Sequence, residues 1–135
     1  MQTINYRSGY KYQLRKPCIT LTPITNQPCS VQFMSLDEFG LLTIGVGYAW
    51  DGPSGPSIDT KTFMRGSLVH DALYGLMHSG VLASTNKDAA DRLLQRICIA
   101  DGMWSVRAGW VYQAVKRFGS TAVSPTDNKE EHTAP

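Results

Sequence analysis

A segment rich in glycine and proline, residues 47–60, divides the chain into two parts with different hydrophobic periods. Three glycines and two prolines among its fourteen residues exclude a regular helix or strand over its whole length. Before the segment, apolar residues alternate as in β-strands, and after it they recur every three or four residues as in helices. This order predicts an α+β fold in which a small sheet is stabilised by packing against helices.

The first fifty residues are predicted to form a small antiparallel β-meander of three to four strands. Alternating or β-branched runs indicate strands over residues 10–14, 18–22, 30–36 and 41–46. Residues 37–40 are typical of a turn that joins the last two strands into a hairpin. Residues 47–60 are then predicted to form a loop with chemically functional side chains rather than a flexible linker, since they contain Tyr48, Trp50, Asp51 and Asp59.

Three helices are predicted after this loop, over about residues 61–78, 86–100 and 103–118. Asp59 or Thr60 is a candidate cap for the first helix and Asn86 for the second. The residues expected to face the core are Ala90, Leu93, Leu94, Ile97 and Cys98 in the second helix and Val106, Trp110, Val111, Ala114, Val115 and Phe118 in the third. Residues 1–119 are expected to form one domain, and residues 120–135 a disordered tail.

The composition is that of an ordinary globular protein, with 42% hydrophobic and 18% charged residues among 135. No run of about 18 apolar residues occurs, and the N-terminal residues lack the apolar region of a signal peptide. These features predict a protein without a transmembrane segment that stays in the cytoplasm where it is made.

The cysteines, Cys18, Cys29 and Cys98, are odd in number and include no C-x-x-C pair. A disulfide framework and a zinc cluster are therefore not indicated. A bridge between Cys18 and Cys29 stays open on sequence grounds, although a reducing compartment disfavours it. Cys98 is interpreted as a small core residue.

Basic residues and tryptophans are interleaved near the end of the predicted domain. Between Arg92 and Arg117 there are five basic residues and one acid, together with Trp104 and Trp110. The favoured interpretation is a solvated helix face with two core tryptophans. An anionic membrane surface is the alternative, and nucleic-acid binding is disfavoured because no stacking platform or dense basic patch is present.

Four polar residues of the first helix, Ser67, His70, Asp71 and Tyr74, fall on one face at helical spacing. If the first two helices are antiparallel, Asp91 of the second faces His70. A carboxylate bonded to one imidazole nitrogen fixes the tautomer and leaves the other nitrogen basic. Such a histidine can deprotonate water near neutral pH.

Asp71 and Asp51, with loop carbonyl oxygens, form a candidate calcium site, because calcium prefers oxygen ligands. A cation beside an imidazole base could polarise a carbonyl, as an ester hydrolase requires. A purely structural interpretation also stays open. Asp91 could pair with Arg65 or Arg92, and Asp51 could close a turn with Gly52.

Several long motifs resemble a bacteriophage and prophage family of small uncharacterised proteins, over about residues 10–119. They are Tyr-Ala-Trp-Asp-Gly-Pro-Ser-Gly-Pro at 48–56, Ile-Asp-Thr at 58–60, Phe-Met-Arg-Gly-Ser-Leu-Val-His-Asp-Ala-Leu-Tyr at 63–74, Ala-Asp at 90–91, and the stretches 101–103 and 107–112. The resemblance implies a phage origin, with synthesis in the host cytoplasm and a place in the virion as a further possibility. It implies no established activity.

The pattern His-Asp-x-x-Tyr on one helix and Ala-Asp on the next is similar to the core of secreted phospholipase A-two enzymes, especially the bacterial type. The separation of His70 and Asp91 agrees with the bacterial arrangement. The resemblance implies a helix pair of that type with His70 as general base and Asp91 as the carboxylate that orients it. It further implies a calcium ion held by Asp71, Asp51, Trp50 and Gly52, the last two through carbonyl groups, with Tyr74 and Trp50 as substrate or supporting residues.

The chain departs from that pattern at three points. No cysteines flank His70 and Asp71, Pro53 and Pro56 remove two N–H groups from the loop, and the β-rich part has no bacterial counterpart. The expected function is a calcium-dependent phospholipase A-two-like acyl-ester hydrolase that acts on phospholipid at a membrane surface.

Two alternatives to the hydrolase stay open. The first is a non-enzymatic phage structural or accessory protein whose partners are virion components. The second is a transition-metal phosphohydrolase, which would need further histidines, and the chain offers only His78 and His132.

Overall fold

Antiparallel strands followed by three helices make up the fold, as the sequence predicted. The structure, a computed structural model, describes residues 6–7, 12–50 and 60–118, and only the backbone of 6–7, 60 and 118. The predictions for Asp51, Gly52, Asp59 and the tail at 120–135 lie outside these residues. No described helix is both long enough and apolar enough to span a bilayer.

The strands lie in two sheets rather than in the single meander that the alternation predicted. They are β1 (Tyr6–Arg7), β2 (Tyr12–Leu14), β3 (Cys18–Leu21), β4 (Cys29–Val31), β5 (Met34–Leu36), β6 (Leu41–Ile44) and β7 (Ala49–Trp50). The order is β1-β2-β7 in one sheet and β3-β6-β5-β4 in the other, with all pairs antiparallel. Because β7 pairs with β2, the predicted loop at 47–60 begins with a short strand.

The prediction of a single strand over residues 30–36 is wrong, because β4 and β5 form a tight hairpin there. The chain turns at Gln32 and Phe33, and Phe33 adopts a left-handed φ of 73°. The adjacent apolar residues Phe33 and Met34 mark the shift in alternation. Met34 and Leu36 point into the core, whereas Phe33 is exposed.

The helices are α1 (Met64–His78), α2 (Lys87–Ala100) and α3 (Ser105–Phe118), with short 3-10 helices at Thr60–Thr62 and Ser84–Asn86. The C-terminal ends agree with the prediction. Thr60 does not cap α1, because the 3-10 turn intervenes and Phe63 precedes the helix without a side-chain cap. Asn86 does precede α2, but its amide bonds to Gln27 and to the carbonyl of Ala83 instead of capping the helix.

Helix α1 is the central element of the core. Its inner residues Leu68, Val69, Ala72, Leu73 and Leu76 are almost completely buried, and they share one cluster with Leu14, Leu42 and Ile44 of the strands. Gly66 of α1 lets α2 approach closely: a Cβ atom there would lie 2.9 Å from Cδ1 of Leu94 and 3.1 Å from Sγ of Cys98. The sheet and α2 therefore hold α1 from different sides.

The predicted inner face of α2 is confirmed, since Ala90, Leu93, Leu94, Ile97 and Cys98 are all buried. The predicted inner face of α3 is only partly correct: Val111 and Val115 pack against the core, and the side chain of Phe118 lies outside the described part of the chain. Ala108 and Tyr112 are the buried residues there, with Val111 and Val115 partly buried, whereas Val106, Trp110 and Ala114 are exposed. The apolar residues of α3 surround most of the helix, so periodicity alone did not fix which arc faces α2.

Trp104 and Trp110 are 83% and 71% exposed, so the interpretation of both as core residues is also wrong. The three cysteines are free thiols, and a bridge between Cys18 and Cys29 is absent. Cys98 is a core residue as expected, and burial raises its pKa to about 12.

The close approach at Gly66 gives a stability prediction. Gly66→Val should lower the free energy of unfolding by about 1–3 kcal/mol, because its methyl groups meet Leu94 and Cys98 in a packed interface. Gly109→Ala on α3 is the control, since its added Cβ meets only Nε2 of Gln95, at 4.0 Å. That variant should be neutral or stabilised by up to about 1 kcal/mol in urea unfolding. Equal effects at both glycines would contradict the packing described.

Candidate functional site

The carboxylate of Asp91 is completely buried and bonded to three side chains. Its Oδ1 atom lies 2.7 Å from Nε2 of His70 and 2.5 Å from the hydroxyl of Tyr74, which donates to it. Its Oδ2 atom accepts a hydrogen bond of 2.7 Å from Nζ of Lys87. Helices α1 and α2 therefore face each other as the sequence predicted, with Asp91 at the contact.

Hydrogen bonding keeps this carboxylate ionised. Burial raises the pKa of Asp91, but the bonds from His70, Lys87 and Tyr74 outweigh it and hold the pKa below its ordinary value. An ionised carboxylate only accepts hydrogen bonds, so Nε2 of His70 must be the donor. The neutral tautomer of His70 therefore carries its proton on Nε2 and leaves a lone pair on Nδ1.

The imidazole of His70 lies at the edge of the core, with its side chain 11% exposed. Within the part of the chain that the structure describes, its Nδ1 atom makes no hydrogen bond. The ring of Tyr74 packs against it, with 4.0 Å between ring centroids and a tilt of 42°. Tyr74 lies one turn along α1 from His70, so its ring limits the movement of the imidazole on one side. Its hydroxyl and Nε2 of His70 both bond to Oδ1 of Asp91.

Burial raises the pKa of Tyr74, and the bond that its hydroxyl donates to Asp91 raises it further. The hydroxyl therefore stays protonated and acts as a fixed donor. Tyr74 thus lies where the sequence placed it, beside the imidazole and the carboxylate.

Lys87 connects the Asp91 network to α3. Besides Asp91, its ammonium group donates to the main-chain carbonyl oxygens of Val115 and Lys116, at 3.0 and 3.1 Å. These carbonyls belong to the last turn of α3, which has no helical partners for them and attracts positive charge. Lys87 therefore stabilises the Asp91 carboxylate and also binds the C-terminal turn of α3.

Asp71 lies outside this network. Its exposed carboxylate accepts a hydrogen bond from the hydroxyl of Tyr48, which comes from the chain just before β7. Burial raises the pKa of Tyr48, and the adjacent Asp71 charge raises it further. Among the described residues no three acidic, histidine or cysteine side chains form a group that could hold a metal.

The calcium ligands predicted with Asp71 are only partly described. Asp51 and Gly52 lie outside the described residues, which leaves Asp71 and the main chain of Trp50. Calcium takes six to eight oxygen ligands. The described residues therefore do not make a calcium site by themselves.

Trp50 has a supporting position. Its indole is buried and donates from Nε1 to the hydroxyl of Ser67 at 3.2 Å, and that hydroxyl donates to the carbonyl of Met64. The contact fixes the end of β7 against the first turns of α1. The polar residues on this face of α1 therefore bond to three different residues. Ser67 bonds to Trp50, His70 and Tyr74 bond to Asp91, and Asp71 bonds to Tyr48.

The alternative partners considered for Asp91 are engaged elsewhere. Arg65 makes two parallel bonds to the buried carboxylate of Asp101, at 2.9 and 3.1 Å. Arg92 pairs with Asp88 on the surface of α2. Sequence reasoning missed Lys87, although its spacing of four residues before Asp91 was a usable signal. Tyr48 had no comparable signal, because its contact with α1 depends on the tertiary fold.

Comparisons with protein-family models, with curated protein sequences and with solved structures found no match to this chain. An assignment of function therefore rests on the geometry of the site.

Two charge pairs on α2 share the same spacing but differ in burial, and they give a matched test. Lys87→Met should lower the free energy of unfolding by about 3 kcal/mol or more, since it leaves the buried Asp91 carboxylate without its ammonium partner. Arg92→Met breaks the exposed pair with Asp88 and should change stability little. Urea unfolding measures both, and Lys87→Met with Asp91→Asn should recover part of the loss. Equal effects of Lys87→Met and Arg92→Met would contradict the buried network.

The low pKa of Asp91 predicts a pH dependence of stability. Its folded-state value lies below an unfolded value of about 3.9, so its ionisation stabilises the fold above that pH. This contribution is lost as the pH falls through the folded-state value. Urea unfolding at several pH values should therefore show Asp91→Asn destabilised at neutral pH, with a smaller difference in acid. A difference that is constant with pH would contradict the ionised state.

Proposed function

We propose that the protein is a phage-encoded, calcium-dependent phospholipase A-two-like hydrolase that cleaves acyl esters of membrane lipid. The observation that supports this most is the bond between Nε2 of His70 and buried Asp91, which leaves Nδ1 without a partner among the described residues. This is the arrangement that a histidine general base requires.

The hydrolysis would proceed through His70 acting first as base and then as acid. Its Nδ1 atom takes a proton from a water molecule while the water oxygen bonds to the ester carbonyl carbon, and the carbonyl electrons move to oxygen. The tetrahedral intermediate then expels the alcohol oxygen, which takes the proton back from Nδ1. The products are a fatty acid and a lysophospholipid, and the charge of Asp91 stabilises the imidazolium between the two steps.

Calcium is part of the proposal, although the described residues supply only part of its ligand set. The ion would be held by Asp71 and Asp51 with the carbonyl groups of Trp50 and Gly52, and Asp71 would then exchange its bond from Tyr48 for the ion. When bound, it would supply positive charge near the developing oxyanion.

A non-enzymatic structural or accessory protein of a phage particle is the second candidate. The observation that favours it is the completeness of the Asp91 network: every donor has a structural use, and Lys87 also fastens α3. In that case His70 and Tyr74 would serve to hold α1 on α2, and the scaffold would present its surface to other virion proteins.

Substitution of the base separates these two candidates. His70→Gln should reduce fatty-acid release from phospholipid vesicles by about 10²–10⁴-fold, because the general base is lost. Circular dichroism and urea unfolding must show that the variant is folded. Tyr74→Phe is the control, since it removes a donor from Asp91 but keeps the imidazole, and it should retain most activity. The hydrolase proposal fails if the wild-type protein releases no fatty acid from any lipid with or without calcium.

Calorimetry tests the proposed cofactor. Titration of calcium into the wild-type protein should give a saturable signal, and Asp71→Asn should lose it because a charged ligand is removed. Asp88→Asn is the matched control, since Asp88 is an exposed carboxylate on α2 that pairs with Arg92. A calcium signal that survives Asp71→Asn, or no signal in the wild type, would contradict the calcium part of the proposal.

A further inference from the structure

Helix α3 and the residue preceding it expose three large apolar side chains, Trp104, Val106 and Trp110, named here the tryptophan surface. They are 83%, 64% and 71% exposed. Val106 and Trp110 are four residues apart, so they lie together on the outer face of α3, opposite the side that Ala108 and Tyr112 pack against α2. Large exposed apolar side chains this close together in the sequence are typical of an interaction site.

The charge of α3 is exclusively basic. The helix contains Arg107, Lys116 and Arg117 and no acidic residue. Among the described residues, the acids on its packing partners are paired with bases outside α3: Asp88 with Arg92, Asp91 with Lys87 and Asp101 with Arg65. Lys116 lies over the ring of Tyr112, with Nζ 5.7 Å from its centroid. The tryptophan surface is therefore flanked by positive charge, which complements an anionic partner.

The basic end of α3 lies next to the Asp91 network. Lys87 bonds both to Asp91 and to the carbonyl oxygens of Val115 and Lys116 in the last turn of α3. The 14-residue helix is roughly 21 Å long, so the tryptophan surface begins at the far end and Lys116 and Arg117 lie at the end near Asp91.

We propose that α3 binds the surface of an anionic phospholipid bilayer, with Trp104 and Trp110 among the headgroups and Lys116 and Arg117 against the phosphates. Tryptophan is enriched at such interfaces, and helices with aromatic and basic residues lie in their plane. A second copy of the chain fits less well, because two basic helices would repel each other. The inference deepens the proposed function, since a lipid hydrolase must reach its substrate, but binding requires no hydrolysis.

The test is flotation of the purified full-length protein with vesicles of ether-linked phospholipids, which contain no ester to cleave. One set consists of phosphatidylcholine alone and the other contains phosphatidylglycerol as well. The protein should float with the anionic vesicles, more weakly at high salt, and only slightly with the neutral ones. Tryptophan fluorescence should shift to the blue on binding. The shift would come from Trp104 and Trp110, because Trp50 is already buried and its surroundings would not change.

Three variants locate the contact. Trp104→Ala with Trp110→Ala should reduce the partition coefficient by about tenfold or more, because two interfacial anchors are lost. Lys116→Gln with Arg117→Gln should reduce the partition coefficient for the anionic vesicles by roughly fivefold for each residue, and should not change that for the neutral vesicles. Phe39→Ala is the matched control, since Phe39 is 69% exposed on the turn between β5 and β6, and it should bind like the wild type.

The outcomes separate this inference from the proposed function. Binding by His70→Gln equal to that of the wild type supports the inference even if no hydrolysis is ever found. Absence of flotation, or flotation unchanged in the tryptophan double variant, overturns it, while fatty-acid release by the wild-type protein and its loss in His70→Gln still decide the hydrolase proposal separately. A dimer in analytical ultracentrifugation that Trp104→Ala with Trp110→Ala dissociates, without vesicle binding, also overturns it in favour of a second copy.

Discussion

A carboxylate with no exposure to water must have several donors, and Asp91 obtains them from α1 and from its own helix, α2. His70 and Tyr74 approach from α1, and Lys87 approaches from its own helix while holding the end of α3. The relative positions of the three helices therefore depend on one ionised group. The same contacts fix the tautomer of His70, so stability and candidate chemistry originate in the same interaction.

Much of this arrangement could be predicted because helical spacing is local. The polar stripe of α1, the inner face of α2 and the pairing of His70 with Asp91 all follow from residues three or four apart on two antiparallel helices. The ends of α1 at His78 and α2 at Ala100 were similarly predictable, because a glycine follows each C-cap residue.

The errors occur where the outcome depends on distant partners. Apolar residues surround most of α3, so only its docking on α2 decides that Tyr112 is inside and Trp110 outside. The strand predicted at 30–36 contains a turn because β5 pairs with both β4 and β6. Trp50 anchors the first turns of α1 through Ser67, a contact between segments that no local pattern indicates.

The tautomer of His70 is the most direct test of this account, and long-range nitrogen–proton NMR correlation of the imidazole measures it. With Asp91 ionised, neutral His70 should carry its proton on Nε2 and have an unprotonated Nδ1, and Asp91→Asn should lose this preference. A proton on Nδ1, or an even mixture of tautomers in the wild-type protein, would contradict the network and the general base assigned to it.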